Sequence, residues 1–144
     1  MTESKKICLI EDNKDHAFLF RSILEKRTDV MVDHYSTGVK ALKALDEFSA
    51  EDLPEIVLLD LNLPELSGFE VLQALKQSAA FKFIPVVVLT TSTRSEEIER
   101  AYELGCNAYV TKPLEFSDLK RVLQDICEFW AETARLPNRG GRDA

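Results

Sequence analysis

The chain has 144 residues, 45% hydrophobic and 30% charged, with a net charge of −7. This length allows one domain with a single core, the composition excludes a disordered chain, and the acidity disfavours nonspecific binding to nucleic acid or anionic membranes. Cys8, Cys106 and Cys127 form no CxxC pair, which argues against a disulfide framework or a zinc site and for reduced, buried thiols.

The elements follow in order. "KICLIE" (6–11) reads as a strand, and residues 14–27 set Ala17, Leu19, Phe20, Ile23 and Leu24 at helical spacing. "VMVDHY" (30–35) alternates weakly, as an edge strand does, and 37–48 reads as a helix. Ile56–Leu59 is a continuous apolar run suited to a strand buried on both faces, and it ends on Asp60. A helix is predicted over 67–78 with Ser67 as N-cap, then a strand over 84–90. A helix over 95–105 starts at Ser95 and stops at Gly105; a strand covers 107–112; the last helix runs from Ser117 to about Ala134. No run approaches the roughly 20 apolar residues of a membrane span, and no signal-peptide core is present. A cytoplasmic protein is expected.

Five strands strictly alternating with five helices predict a three-layer α/β sandwich with a parallel sheet, of flavodoxin-like order 2-1-3-4-5. In such sheets functional groups collect beyond the carboxyl ends of the strands. Those ends carry Glu11-Asp12-Asn13, Asp60 with Asn62 beyond it, Thr90-Thr91-Ser92, and Thr111-Lys112-Pro113. Converging carboxylates repel unless a cation joins them, and Mg²⁺ suits oxygen ligands while keeping water for a phosphate oxygen. Mn²⁺ is an alternative ion. Lys112 and Thr90 can each hold a phosphoryl oxygen. The set is equipped to accept a phosphoryl group, a reaction that needs mainly positioning and charge neutralisation.

The acid pair, "LLDLNLPELSG", "VVLTT" and "YVTKP" together resemble the receiver domains of two-component response regulators, over residues 5 to about 130. The resemblance implies that Asp60 is the phosphoacceptor. It implies Mg²⁺ held by Asp12, by Glu11 largely through water, by Asp60 and by the Asn62 backbone carbonyl. It further implies Thr90 and Lys112 on the acyl phosphate, a cis Lys112–Pro113 bond, and Gly68 as the glycine after the phosphoacceptor loop. Tyr109 matches the switch aromatic. Phosphate on Asp60 would draw in Thr90, Tyr109 would turn inward, and the face of helix four, strand five and helix five would change for a partner. The phosphodonor would be a histidine kinase.

No output domain follows residue 130 in this sequence, so residues 131–144 are expected to be an extension with a flexible Arg/Gly tail. Leu119, Leu123, Ile126, Cys127 and Trp130 form a core stripe. Val122, Phe129 and Leu136 recur every seven residues beside it, and with Trp130 they are expected to form an interaction surface for a homodimer through helix 4, strand 5, helix 5 and the extension. "FWAETARLP" resembles the single-domain regulators associated with phytochrome histidine kinases. Two other readings compete. A phosphatase of the haloacid dehalogenase type needs a second acid two residues after the nucleophile, where this chain has Asn62. A phosphorylation-independent binding module with the same fold would not need the acid pair, Thr90 and Lys112. His16 lies early in helix one near the crevice, in reach of phosphate or a kinase, and His34 lies in an edge strand; neither has a ligand or nucleophile context, and both are expected at the surface.

Overall fold

The apolar run at 56–59 forms the central strand of a computed structural model that describes residues 5–27 and 29–137. The strands are β1 (Lys5–Ile10), β2 (Val30–Tyr35), β3 (Ile56–Leu59), β4 (Val86–Thr90) and β5 (Ala108–Thr111). They alternate with α1 (Lys14–Leu24), α2 (Gly38–Glu47), α3 (Gly68–Gln77), α4 (Ser95–Glu103) and α5 (Phe116–Cys127). All strand pairs are parallel and the sheet order is β2-β1-β3-β4-β5, the flavodoxin-like arrangement predicted from the alternation.

Because side chains alternate along a strand, each strand feeds two cores. Cys8, Ile10, Val57, Leu59, Val86 and Val88 pack with residues of α2, α3 and α4. Ile7, Leu9, Ile56, Leu58, Val87 and Leu89 pack with α1 and α5. Every residue of β3 is at most 1% exposed, and full burial of each contributes roughly 1.5–3 kcal/mol. All three cysteines are free and buried. Helix entry follows the sequence. Asn13 and Thr37 cap α1 and α2, and Ser67 forms a full capping box with Glu70.

The edges differ. β2 carries the half-buried Asp33, His34 and Tyr35. On the opposite edge the half-exposed Tyr102 of α4 accepts the outward N–H of Tyr109 at 3.1 Å.

Two features depart from the sequence reading. The last helix is not a continuous α-helix to Ala134: α5 ends at Cys127 and a π-helical turn spans Glu128–Thr133. The wider turn seats Ala131 and Trp130 against the α1 side of the core, and Arg27 pairs with Glu132. Phe129 is left 51% exposed. Val122 and Leu136 are half-buried, and Leu136 lies past the end of the helix, so the seven-residue row does not continue on one helical flank. The second departure is the Lys112–Pro113 bond, which is trans. The Lys112 N–H donates to the Thr90 carbonyl at 2.7 Å, so the β4–β5 register already aims the lysine. Trans is the lower-energy isomer before proline by about 0.5–1 kcal/mol. Among the described residues no helix is long and apolar enough to cross a membrane. The Arg/Gly tail from 138 lies outside the described residues.

Candidate phosphoryl and metal site

The carboxyl ends of β1, β3, β4 and β5 bring Glu11, Asp12, Asp60, Asn62, Thr91 and Lys112 to one open cleft. β3 delivers Asp60 from the middle of the sheet, with its backbone N–H tied to the Ile10 carbonyl at 3.1 Å. Its exit is fixed by Gly68, whose N–H returns to the Leu61 carbonyl at 3.0 Å. A Cβ at position 68 would stand 2.3 Å from the Asp60 carbonyl oxygen, so only glycine fits. Between them Glu65 adopts a left-handed φ of 63° directly after Pro64, the order that turns with proline second and positive φ third require.

Glu11, Asp60, Thr90 and Lys112 are the buried polar residues of the described chain, each 8% exposed or less. Both Asp60 carboxylate oxygens are hydrogen-bonded. Its Oδ1 accepts the Thr90 hydroxyl and the Asn62 N–H, each at 3.0 Å, and its Oδ2 accepts from the Lys112 ammonium at 2.9 Å. Lys112 also donates to Glu11 Oε1 at 2.7 Å and to His16 Nδ1 at 3.0 Å. Glu11 Oε2 accepts the Asn13 N–H at 3.1 Å.

These contacts split the two buried carboxylates. Burial raises the Glu11 acid, the Lys112 hydrogen bond partly offsets it, and the Asp60 charge raises it further, to about 7. Burial also pushes Asp60 upward, but the Lys112 ammonium, the Asn62 N–H and the Thr90 hydroxyl outweigh it and hold Asp60 below the ordinary carboxylate range. The same lysine thus favours the ionised form of Asp60 against the cost of its burial.

The donor set fits a hard divalent cation. One carboxylate oxygen from each of Glu11, Asp12 and Asp60 lies within 4.8 Å of the others. When all three carboxylates are ionised, they stand against one ammonium and leave two negative charges, the charge that one such ion cancels, and oxygen ligands are what Mg²⁺ or Mn²⁺ prefers.

Thr90 bonds Asp60, and Tyr109 is half-buried against the α2–α4 side of the core with its hydroxyl donating to the Ser92 carbonyl at 2.9 Å.

Two histidines expected as plain surface residues are built into this region. His16 is partly buried, stacks on Phe20 with ring centroids 5.9 Å apart, and accepts from Lys112. Burial and then the Lys112 charge lower its pKa below the usual imidazole value. His34 donates from Nε2 to the Glu11 carbonyl at 2.7 Å. The signal for His16 lay in the cap: Asn13 Oδ1 accepts the His16 N–H at 3.0 Å, which fixes it in the first turn of α1, beside the end of β1.

Comparison with known proteins agrees with this geometry. Residues 7–124 match the response regulator receiver domain family. The chain is 42% identical to the probable methanogenesis regulatory protein FilR2 of Methanothrix harundinacea, over 91% of this chain and 86% of that protein. It is 40% identical to the response regulator Rcp1 of Synechocystis, over 92% of this chain and 93% of that protein. The Mn²⁺-bound structure of Rcp1 superposes with a TM-score of 0.83, covering 92% of this chain and 99% of that one. The phosphorylated cyanobacterial phytochrome response regulator RcpA, 40% identical, gives a TM-score of 0.87 over 93% of this chain and 99% of that one.

Proposed function

The chain belongs to the response regulator receiver domain family, and on that premise we propose that it is a phosphoryl-accepting signalling switch fed by a histidine kinase. The observation that carries the reading is the Asp60 carboxylate, held ionised by Lys112, Thr90 and the Asn62 N–H within a three-carboxylate cluster. In this reading an Asp60 oxygen attacks the phosphorus and the donor departs from the opposite side. Asp12, Asp60, the Asn62 carbonyl and, largely through water, Glu11 would hold Mg²⁺, which would supply charge neutralisation for the transferring group. Lys112 and Thr90 pass from Asp60 to the phosphoryl oxygens, a short move because both already touch the carboxylate. The chemistry is limited to self-phosphotransfer and autodephosphorylation.

The output is a population shift. Movement of Thr90 from Asp60 Oδ1 to the phosphoryl group would free space for Tyr109 on the neighbouring strand to turn further inward, and such coupling is worth about 1–3 kcal/mol. That suffices to bias a partner on the face of α4, β5 and α5. The likeness to RcpA and Rcp1 supports a phytochrome-linked kinase as donor, cytoplasmic action, and a receiver unit over residues 5–130 with 131–144 as its extension.

The test is incubation with acetyl phosphate and Mg²⁺ followed by intact mass. One added phosphoryl group is expected, and none when a chelator removes the ion. No adduct on the Mg²⁺-supplied chain sinks the proposal and leaves the binding module.

We also propose homodimerisation through the α4–β5–α5 face and the extension, on the strength of the exposed Phe129 ring set edge-on to Trp130 at 5.0 Å. Phe129→Ser alters an exposed side chain, so stability should move by no more than about 0.5 kcal/mol. Sedimentation should then show a shift from dimer to monomer. An identical sedimentation coefficient for parent and variant would remove the dimer reading.

A further inference from the structure

We infer that His16 is a positioning residue for Lys112: its Nδ1 is the third acceptor that fixes where the ammonium points. This rests on the reading of Asp60 as phosphoryl acceptor. An ammonium has three protons, and here they go to three places: Glu11 Oε1, Asp60 Oδ2 and His16 Nδ1. Two of these acceptors are carboxylates, whose charges change when a cation or a phosphoryl group arrives. His16 is the acceptor that is neither in the acid cluster nor the proposed nucleophile.

The ring is itself held in place. Its backbone is pinned by the Asn13 cap, its face lies on the buried Phe20, and the Lys112 Nζ sits 5.6 Å from the centre of that same Phe20 ring. Lysine can only donate, so Nδ1 must be bare, and the ring proton belongs on Nε2. The groups around the imidazole are Lys112 from the end of β5, Asp60 from β3, and Asp12 and Asp15 from its own segment. When Asp60 is phosphorylated and Lys112 turns to the phosphoryl oxygens, His16 retains one N–H bond. The lysine therefore pivots about a fixed point rather than searching its rotamers, which is the gain that preorganisation gives an electrostatic group.

The test has two independent readouts on the full chain. Nitrogen-15 NMR of the imidazole at neutral pH should show the Nε2–H tautomer in the parent protein. Lys112→Ala should give a mixture. An Nδ1–H or doubly protonated ring in the parent overturns the inference, whatever the phosphorylation result.

The second readout is the initial rate of phosphoryl transfer from saturating acetyl phosphate with Mg²⁺. His16→Leu should slow it about tenfold, and His16→Asn, which restores an acceptor near the Nδ1 position, should remain within about threefold of the parent. In a Lys112→Ala background His16→Leu should have no further effect, because its action runs through the lysine. An equal loss in both backgrounds, or a Leu variant as fast as the parent, overturns the inference while leaving Asp60 untouched. Absence of any adduct on the parent sinks the Asp60 reading instead, and the tautomer measurement then decides this one. Circular dichroism establishes that each variant is folded, and the tautomer readout needs no His16 variant.

Discussion

Asp60→Asn is expected to form no phosphoryl adduct under conditions that label the parent fully, a loss of at least about three orders of magnitude in rate. The amide is nearly the same size and its oxygen can still accept the Thr90 hydroxyl and the Asn62 N–H that now meet Oδ1. What disappears is the anion. The amide nitrogen takes the place of Oδ2, where Lys112 now approaches to 2.9 Å, so two donors would face each other. Lys112 keeps Glu11 and His16 as acceptors, and the ammonium does not become an orphan. The fold should therefore survive, with removal of a desolvated carboxylate offsetting much of the lost ion pair. Intact mass after acetyl phosphate treatment, with a thermal melt to show a folded chain, reads both outcomes. An adduct that persists on the variant would place the phosphoryl group elsewhere and end the Asp60 reading.

Gly68→Ala should be the most damaging alanine substitution among the described glycines, at about 3 kcal/mol. The added Cβ would meet the Asp60 carbonyl oxygen at 2.3 Å, the Leu61 Cα at 2.5 Å and the Asp60 carbonyl carbon at 3.0 Å. All three are backbone atoms, so no rotamer change relieves them. Gly38 provides the contrast. A Cβ there meets first the Val71 Cγ2 at 2.3 Å, the end of a side chain. At position 68 the strain must be relieved by moving the peptide that carries Asp60, so phosphoryl transfer should fall along with stability. Urea denaturation gives the first effect and the acetyl phosphate rate the second. A denaturation midpoint equal to the parent's would mean that the loop from Asp60 to Gly68 yields freely and is not clamped as described.

The fold was legible because its signals are local. The alternation of short β-branched runs with helical periods specifies the parallel sheet, and the apolar run before Asp60 specifies the central strand. The site was legible for a related reason: strand ends in such a sheet converge, so four short polar clusters far apart in sequence can be assigned to one cleft. Contacts across the sheet carry no such local mark. The start of helix one puts His16 near the crevice, but nothing in "NKDHAF" says that it accepts from a lysine 96 residues away, and periodicity cannot show that Thr90 already rests on Asp60. The π-helical turn was hidden because residues 128–133 contain neither glycine nor proline, and only packing of Ala131 and Trp130 selects the wider turn. The cis bond was the family's contribution alone, and the strand register supplies the aim by itself.

The Tyr102 hydroxyl on the Tyr109 N–H bears on how this chain behaves at high concentration. An outermost strand with free amides is a template on which a second copy can add a strand, the first step of aggregation. Tyr102 occupies one of those amides with a side chain from the chain's own helix, so an intruding strand must first displace it. A partner that docks on α4 and pulls this tyrosine away would remove the guard at the moment it covers the edge itself.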